Sequence, residues 1–121
     1  MKKLVILSAV LVMAGCAEKK PLTPEEQWLG YCTSVGNAAR SIMLDRQNGI
    51  TQQAAVEHAA KLTDPTTKGF VDQIIEKVYA YPKEELQKDR EALQAQFKKE
   101  ATEVCVNSPH DPSKMPDYKP F

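Results

Sequence analysis

Residues 23–49, TPEEQWLGYCTSVGNAARSIMLDRQNG, have the features of one long amphipathic helix. Thr23 is suited to cap its first turn, Pro24 to occupy the first helical position, and Glu26 to complete a capping box. Gly49 supplies a left-handed residue that ends the helix. The apolar residues recur at steps of three and four, which places them on one broad face. That face contains Trp28, Tyr31, Cys32, Val35, Ala38, Ala39, Ile42 and Met43.

Three further helices are predicted from the rest of the chain. Thr51 caps a short alanine-rich helix over 51–62, whose small side chains allow its backbone to approach a neighbour closely. Asp64, followed by a proline, opens a third helix over 65–81, and another proline precedes a fourth over 83–106. Their apolar residues are Phe70, Val71, Ile74, Ile75, Val78 and Tyr81, then Leu86, Leu93, Phe97, Ala101 and Val104. No apolar run alternates as a strand would, so we expect an all-α fold, a small up-down bundle of about four helices.

The first sixteen residues form three zones. Two lysines are followed by an apolar run over 4–12 and by the segment Met13-Ala14-Gly15-Cys16, in the order typical of a signal peptide. The run is shorter than the about 20 residues that a membrane-spanning helix needs. The last four residues resemble the lipobox of bacterial lipoproteins, with methionine in place of the usual leucine. This resemblance implies that residues 1–15 are removed and that Cys16 receives a diacylglycerol; the alternative is an ordinary secretory signal followed by a coincidental cysteine.

The same resemblance carries expectations about location. Several acyl chains, at about 0.8 kcal/mol for each buried methylene, hold a protein on a bilayer, so Cys16 would anchor the chain through residues 16–22. In the lipoprotein family an aspartate after the lipidated cysteine retains the protein at the inner membrane. Ala17 stands there instead. We therefore expect the protein to be located at the periplasmic face of the outer membrane. The inner membrane is the less favoured location.

Composition limits the classes of partner. Without residues 1–15, about 106 of the 121 residues remain, enough for one small domain over 23–106. Loss of two lysines from 16 basic residues leaves 14 against 16 acidic ones. Nucleic-acid binding depends on neutralising phosphates, and this chain has no basic excess for it. We expect no nucleic-acid partner.

Two cysteines remain for the mature domain, Cys32 and Cys105. An even pair in a small exported domain predicts a disulfide, and the up-down order brings the start of the first helix to the end of the fourth. The alternatives are a redox-active or metal-bound pair. These are disfavoured because the sequence contains no Cys-x-x-Cys spacing and no clustered histidines.

The chain contains no recognisable catalytic constellation. His58 is expected at the surface or at the edge of the core, and His110 is expected to be solvated. Neither has a serine or cysteine nucleophile at a recognised spacing, and no metal-ligand spacing occurs. Two acidic pairs, Glu25–Glu26 and Glu84–Glu85, fall at predicted helix starts, where the helix dipole favours negative charge. The sequence therefore predicts no catalytic residue, no metal and no cofactor.

Two arginines and two aromatic residues are candidates for binding a partner. Arg46 falls on the apolar face of the first helix, one turn from its end. Either its stem covers apolar surface while the guanidinium reaches the last carbonyls of that helix, or it binds a partner at the end of the bundle. Arg90 is its expected neighbour, or pairs with Asp45 or Asp89. Prolines make residues 107–121 a flexible tail, in which Tyr118 and Phe121 could dock in a groove of a partner.

Three classes of function remain open from the sequence. The first is a non-catalytic module, tethered to the lipid bilayer through an acylated Cys16, that contacts another protein of the cell envelope. The second is a protective or inhibitory lipoprotein, such as an exclusion factor or a hydrolase inhibitor. The third, and least favoured, is a small enzyme that acts on the cell wall or on lipid.

Overall fold

A computed structural model describes residues 21–111 and 114–116 of the chain. It contains four α-helices: α1 (Pro24–Gln47), α2 (Gln52–Ala59), α3 (Pro65–Ala80) and α4 (Arg90–Val106). A single 3-10 turn, Lys83–Glu85, lies between α3 and α4. No strand occurs in this part of the chain, so the all-α prediction is confirmed.

The predicted caps explain where the first three helices begin. The side chains of Thr23, Thr51 and Asp64 accept hydrogen bonds from backbone N–H groups three residues on, at 3.2, 3.2 and 2.8 Å. Each bond satisfies one of the N–H groups that a helix leaves unpaired at its start. Gly49 has a φ of 91° and ends α1, as predicted.

The fourth helix differs from the prediction. It does not begin at Lys83, because the Asp89 side chain accepts a 3.2 Å hydrogen bond from the N–H of Ala92 and caps a new helix there. The intervening segment turns once and buries Leu86. α4 therefore has 17 residues and a length of about 25 Å, against about 36 Å for the 24 residues of α1. α2 is also shorter than predicted, ending at Ala59.

The helices run up, down, up and down. α1 and α4 are antiparallel: Cys32 and Cys105 are joined at one end, and at the other the Gln94 side chain donates to that of Gln47 at 2.8 Å. α3 runs parallel to α1, since the Tyr31 hydroxyl lies 2.9 Å from the hydroxyl of Thr67, near the starts of both helices. We call these two ends the disulfide end and the tip, the tip comprising residues 47–50 and 81–90.

The core lies mainly between α1, α3 and α4. All eight apolar residues predicted for the first helix are buried, which confirms that face. Its centre contains fully buried side chains from α1 and α3, namely Val35, Met43, Val71, Ile75 and Val78. On α4 Leu93, Phe97 and Cys105 are buried, whereas Val104 is 39% exposed and was wrongly placed in the core.

Two features hold α1 against α4. The disulfide between Cys32 and Cys105 spans 73 positions of sequence, with Cα atoms 5.4 Å apart, and confirms the predicted pairing. Next to it, Gly36 lets the two backbones approach closely. A Cβ atom at Gly36 would lie 2.0 Å from Oγ1 of Thr102 and 2.8 Å from the carbonyl oxygen of Lys98.

Candidate functional site

Arg46 connects the end of α1 to the end of α3. Its Nη1 donates hydrogen bonds to the carbonyl oxygens of Val78 and, at 2.7 Å, of Tyr81. The guanidinium carbon also lies 5.3 Å from the ring centroid of Tyr79, a cation–π contact. One account from the sequence placed this guanidinium at the last carbonyls of α1; that was wrong, because the carbonyls that it reaches lie at the end of α3. A role in binding a partner stays a prediction for Arg46.

Arg90 takes part in a polar network at the tip. Its guanidinium donates to the side-chain oxygens of Asn48 at 2.6 Å and of Gln87 at 2.9 Å. Among the described residues it makes no ion pair, so neither of the expected aspartate partners is found. Its role toward a partner is also still a prediction.

The centre of that network is Gln47, which sequence reasoning missed. It is 5% exposed, and its Nε2 donates to the carbonyl oxygens of Leu86 and Arg90 at 3.1 and 3.2 Å. Gln87 in turn donates to the carbonyl oxygen of Gln47 at 2.8 Å. A buried amide must find such partners, and these bonds fix the segment between α3 and α4.

The described part of the C-terminal tail folds back onto the disulfide end. The His110 ring stacks on Trp28 with centroids 4.2 Å apart and planes 7° apart, and its Nε2 lies 3.5 Å from a carboxylate oxygen of Glu25. The His110 side chain is only 19% exposed, so the expectation that it is solvated was wrong. Met115 also packs against the core.

Three of the predicted site residues, Cys16, Tyr118 and Phe121, lie outside the described residues. The same is true of the predicted signal peptide, residues 1–15. Among the residues with coordinates, no group of three or more histidine, cysteine or acidic side chains could hold a metal ion. No helix of residues 21–111 combines the length and hydropathy required to cross a bilayer.

An open pocket of about 250 Å³ lies between α1, α2 and α3, near the tip. Its buried lining residues are aliphatic: Ile42, Val71 and Ile75 are at most 7% exposed. The side facing α2 is formed by Ala54 and Ala55. Small side chains were expected to bring α2 close to its neighbour, but at these two positions they leave space unfilled.

The outer part of the pocket is polar. Ser41, Asp45 and His58 line it and are exposed. Within residues 21–111 and 114–116 the Asp45 carboxylate forms no ion pair. The combination of buried aliphatic groups and one unpaired carboxylate makes this pocket a candidate binding site.

The charge of Asp45 also affects the adjoining Tyr79. Burial, and then the negative charge of Asp45, raise the pKa of the Tyr79 hydroxyl, while Arg46 opposes the shift. That hydroxyl donates a 2.7 Å hydrogen bond to the carbonyl oxygen of Ile50. Ile50 is one of the residues that line the pocket. Tyr79 stays protonated at neutral pH and so holds the turn beside the pocket in place.

One exposed apolar side chain belongs to the pocket itself. Ile50 lines it and is 44% exposed. Leu44, one residue before Asp45, is 38% exposed, but it lies on a different surface, with Arg90 and Gln94.

Comparisons with other proteins give no independent guide to this site. No protein-family model matches the chain. Searches of curated proteins and of solved structures likewise return no significant match.

Proposed function

We propose that this protein is a lipid-anchored module of the bacterial cell envelope that binds another protein without catalysing a reaction. The observation that supports the binding role is the open apolar pocket between α1, α2 and α3, with Ile50 exposed at its edge. An apolar cavity of about 150 Å³ can hold benzene. The 250 Å³ here are thus enough for one large apolar side chain of a partner.

The proposed anchor and the pocket are at different levels of the bundle. Pro21 leads into α1 at the disulfide end, and Ile42 lines the pocket 18 residues after Pro24. At 1.5 Å for each helical residue, that separation is about 27 Å along the helix. A lipidated Cys16 would therefore hold the disulfide end toward the bilayer and present the pocket toward the periplasm.

Replacement of Cys16 by serine is expected to abolish lipid attachment. Cells grown with labelled palmitate should yield a labelled protein that sediments with membranes, and Cys16→Ser should lose the label and enter the soluble fraction. Acylation requires the thiol, whereas Ala17→Ser keeps it and serves as the matched control. Unchanged labelling or unchanged membrane association of Cys16→Ser would contradict the anchor.

The binding role is tested by photo-cross-linking in intact cells. A photoreactive phenylalanine derivative at Ile50 should give one discrete adduct of higher mass, because this residue lies at the edge of the pocket. The same derivative at Lys99, exposed on α4 and away from the pocket, should give none. Adducts of equal yield at both positions, or at neither, would count against a partner at this surface.

A further inference from the structure

We propose that the pocket between α1, α2 and α3 recognises a large apolar side chain that lies next to a lysine or arginine of a partner protein. This inference rests on the proposed binding function and adds the chemistry of the partner. The buried lining residues select the apolar group, and Asp45 selects the cation beside it.

The shape of the pocket favours one inserted side chain over a flat contact. Ile42, Val71 and Ile75 are 7%, 0% and 2% exposed, so the base of the pocket belongs to the core itself. Ala54 and Ala55 form the opposite side and end at Cβ, which leaves the volume open. Removal of apolar surface from water then favours insertion of an aromatic or branched aliphatic group.

The electrostatics at the opening favour a positive charge. Asp45 lies in the last turn of α1, where the helix dipole already contributes partial negative charge. The cation nearest in sequence, Arg46, extends to the carbonyl oxygens at the end of α3 and does not pair with Asp45. An incoming ammonium or guanidinium group would meet an unpaired carboxylate.

The same charge argues against another occupant of an apolar pocket, a fatty acid. Its carboxylate would lie at the opening, next to the carboxylate of Asp45, and like charges repel. Ser41 and His58 are the other polar groups at the opening, and among the described residues no lysine or arginine lines the pocket. A cationic peptide segment is therefore the occupant that fits both parts of the site.

The test uses three capped tripeptides and the disulfide-bonded full chain carrying Cys16→Ser, which removes the proposed lipid attachment site. The peptides contain phenylalanine between two lysines, phenylalanine between two glutamates, and alanine between two lysines. Binding is followed by NMR through the methyl signals of Ala54, Ala55 and Ile75. An exposed ion pair changes affinity by about two- to fivefold, so attraction in one peptide and repulsion in the other should separate the first two by roughly four- to twenty-five-fold.

Two variants connect the expected result to the pocket. Ala54→Leu should fill the volume and abolish binding of the lysine–phenylalanine peptide, whereas Ala95→Leu, an exposed alanine on α4, should leave it unchanged. Asp45→Asn should remove most of the difference between the lysine and glutamate peptides. Circular dichroism of each variant establishes that it is folded.

Three results would overturn the proposal: equal affinity for the lysine and glutamate peptides, equal affinity for the phenylalanine and alanine peptides, or binding that survives Ala54→Leu. The outcome is distinguishable from that of the proposed function. An adduct at Ile50 in cells without a preference among peptides would retain the binding role and discard the chemistry. A clear peptide preference without any adduct would support the chemistry of the pocket and count against a protein partner at this surface in cells.

Discussion

Replacement of both Cys32 and Cys105 by alanine is expected to lower the free energy of unfolding by about 4 kcal/mol. The disulfide closes a loop of 73 positions, and chain entropy assigns about that value to a loop of this length. Typical domains unfold with about 5–15 kcal/mol in total, so the loss is a large part of the stability. For a domain of this size the melting temperature should fall by roughly 15–30 °C.

Urea denaturation of the oxidised protein and of the double variant measures this effect. The unchanged protein after reduction should unfold near the same urea concentration as the double variant, because both lack the cross-link. Both cysteines are fully buried, and alanine avoids placing a serine hydroxyl among apolar groups. A difference in unfolding free energy below about 1 kcal/mol between the oxidised protein and the double variant would contradict this prediction. It would show that α1 and α4 remain associated without the disulfide.

Gly36→Ala is expected to lower the free energy of unfolding by about 1–2 kcal/mol. The new methyl group would fall 2.0 Å from Oγ1 of Thr102 and 2.8 Å from the carbonyl oxygen of Lys98. The hydroxyl can rotate, but the carbonyl belongs to the backbone of α4, so the two helices must separate locally. Overpacking of this kind costs about 1–3 kcal/mol, and the better helix propensity of alanine offsets up to about 1 kcal/mol of it.

The matched control is the same substitution in the same helix, Gly30→Ala. A Cβ atom there would meet nothing within 4 Å, so only the gain in helix propensity remains and stability should rise by about 0.5–1 kcal/mol. The opposite signs at Gly36 and Gly30 are the result to look for in thermal or urea unfolding. Adding Thr102→Ala should recover part of the loss at Gly36. Stabilisation by both single substitutions would refute the close approach.

Local signals in the sequence were sufficient for most of the helix boundaries. Thr23, Thr51 and Asp64 each combine a capping side chain with a following helical pattern, and the hydrogen bonds involved span only three residues. The start of α4 was predicted wrongly, at position 83 after the proline, whereas Asp89 caps the helix in the structure. The segment before Asp89 is fixed by burial of Leu86 and by the bonds from Gln47, and both depend on contacts from distant parts of the chain.

The candidate site was less predictable because it depends on the relative placement of three helices. From the sequence, Asp45 was considered as a partner of Arg90, and the alanines of the second helix as residues suited to close packing. Neither pattern specifies how far α2 lies from α1, so the open volume could not be inferred. His110 is a similar case, since its burial requires the tail to turn back to Trp28, which lies 82 positions earlier in the sequence.

The loop closed by Cys32 and Cys105 includes all three links between the four helices, among them the link between α3 and α4. A protease that cuts this link leaves two fragments that are still covalently joined through sulfur. The two fragments would separate only after reduction of the disulfide, whose cysteines are fully buried. If the protein is exposed to extracytoplasmic enzymes, as proposed, one cut in this link would leave α4 covalently attached to the helices that form the pocket.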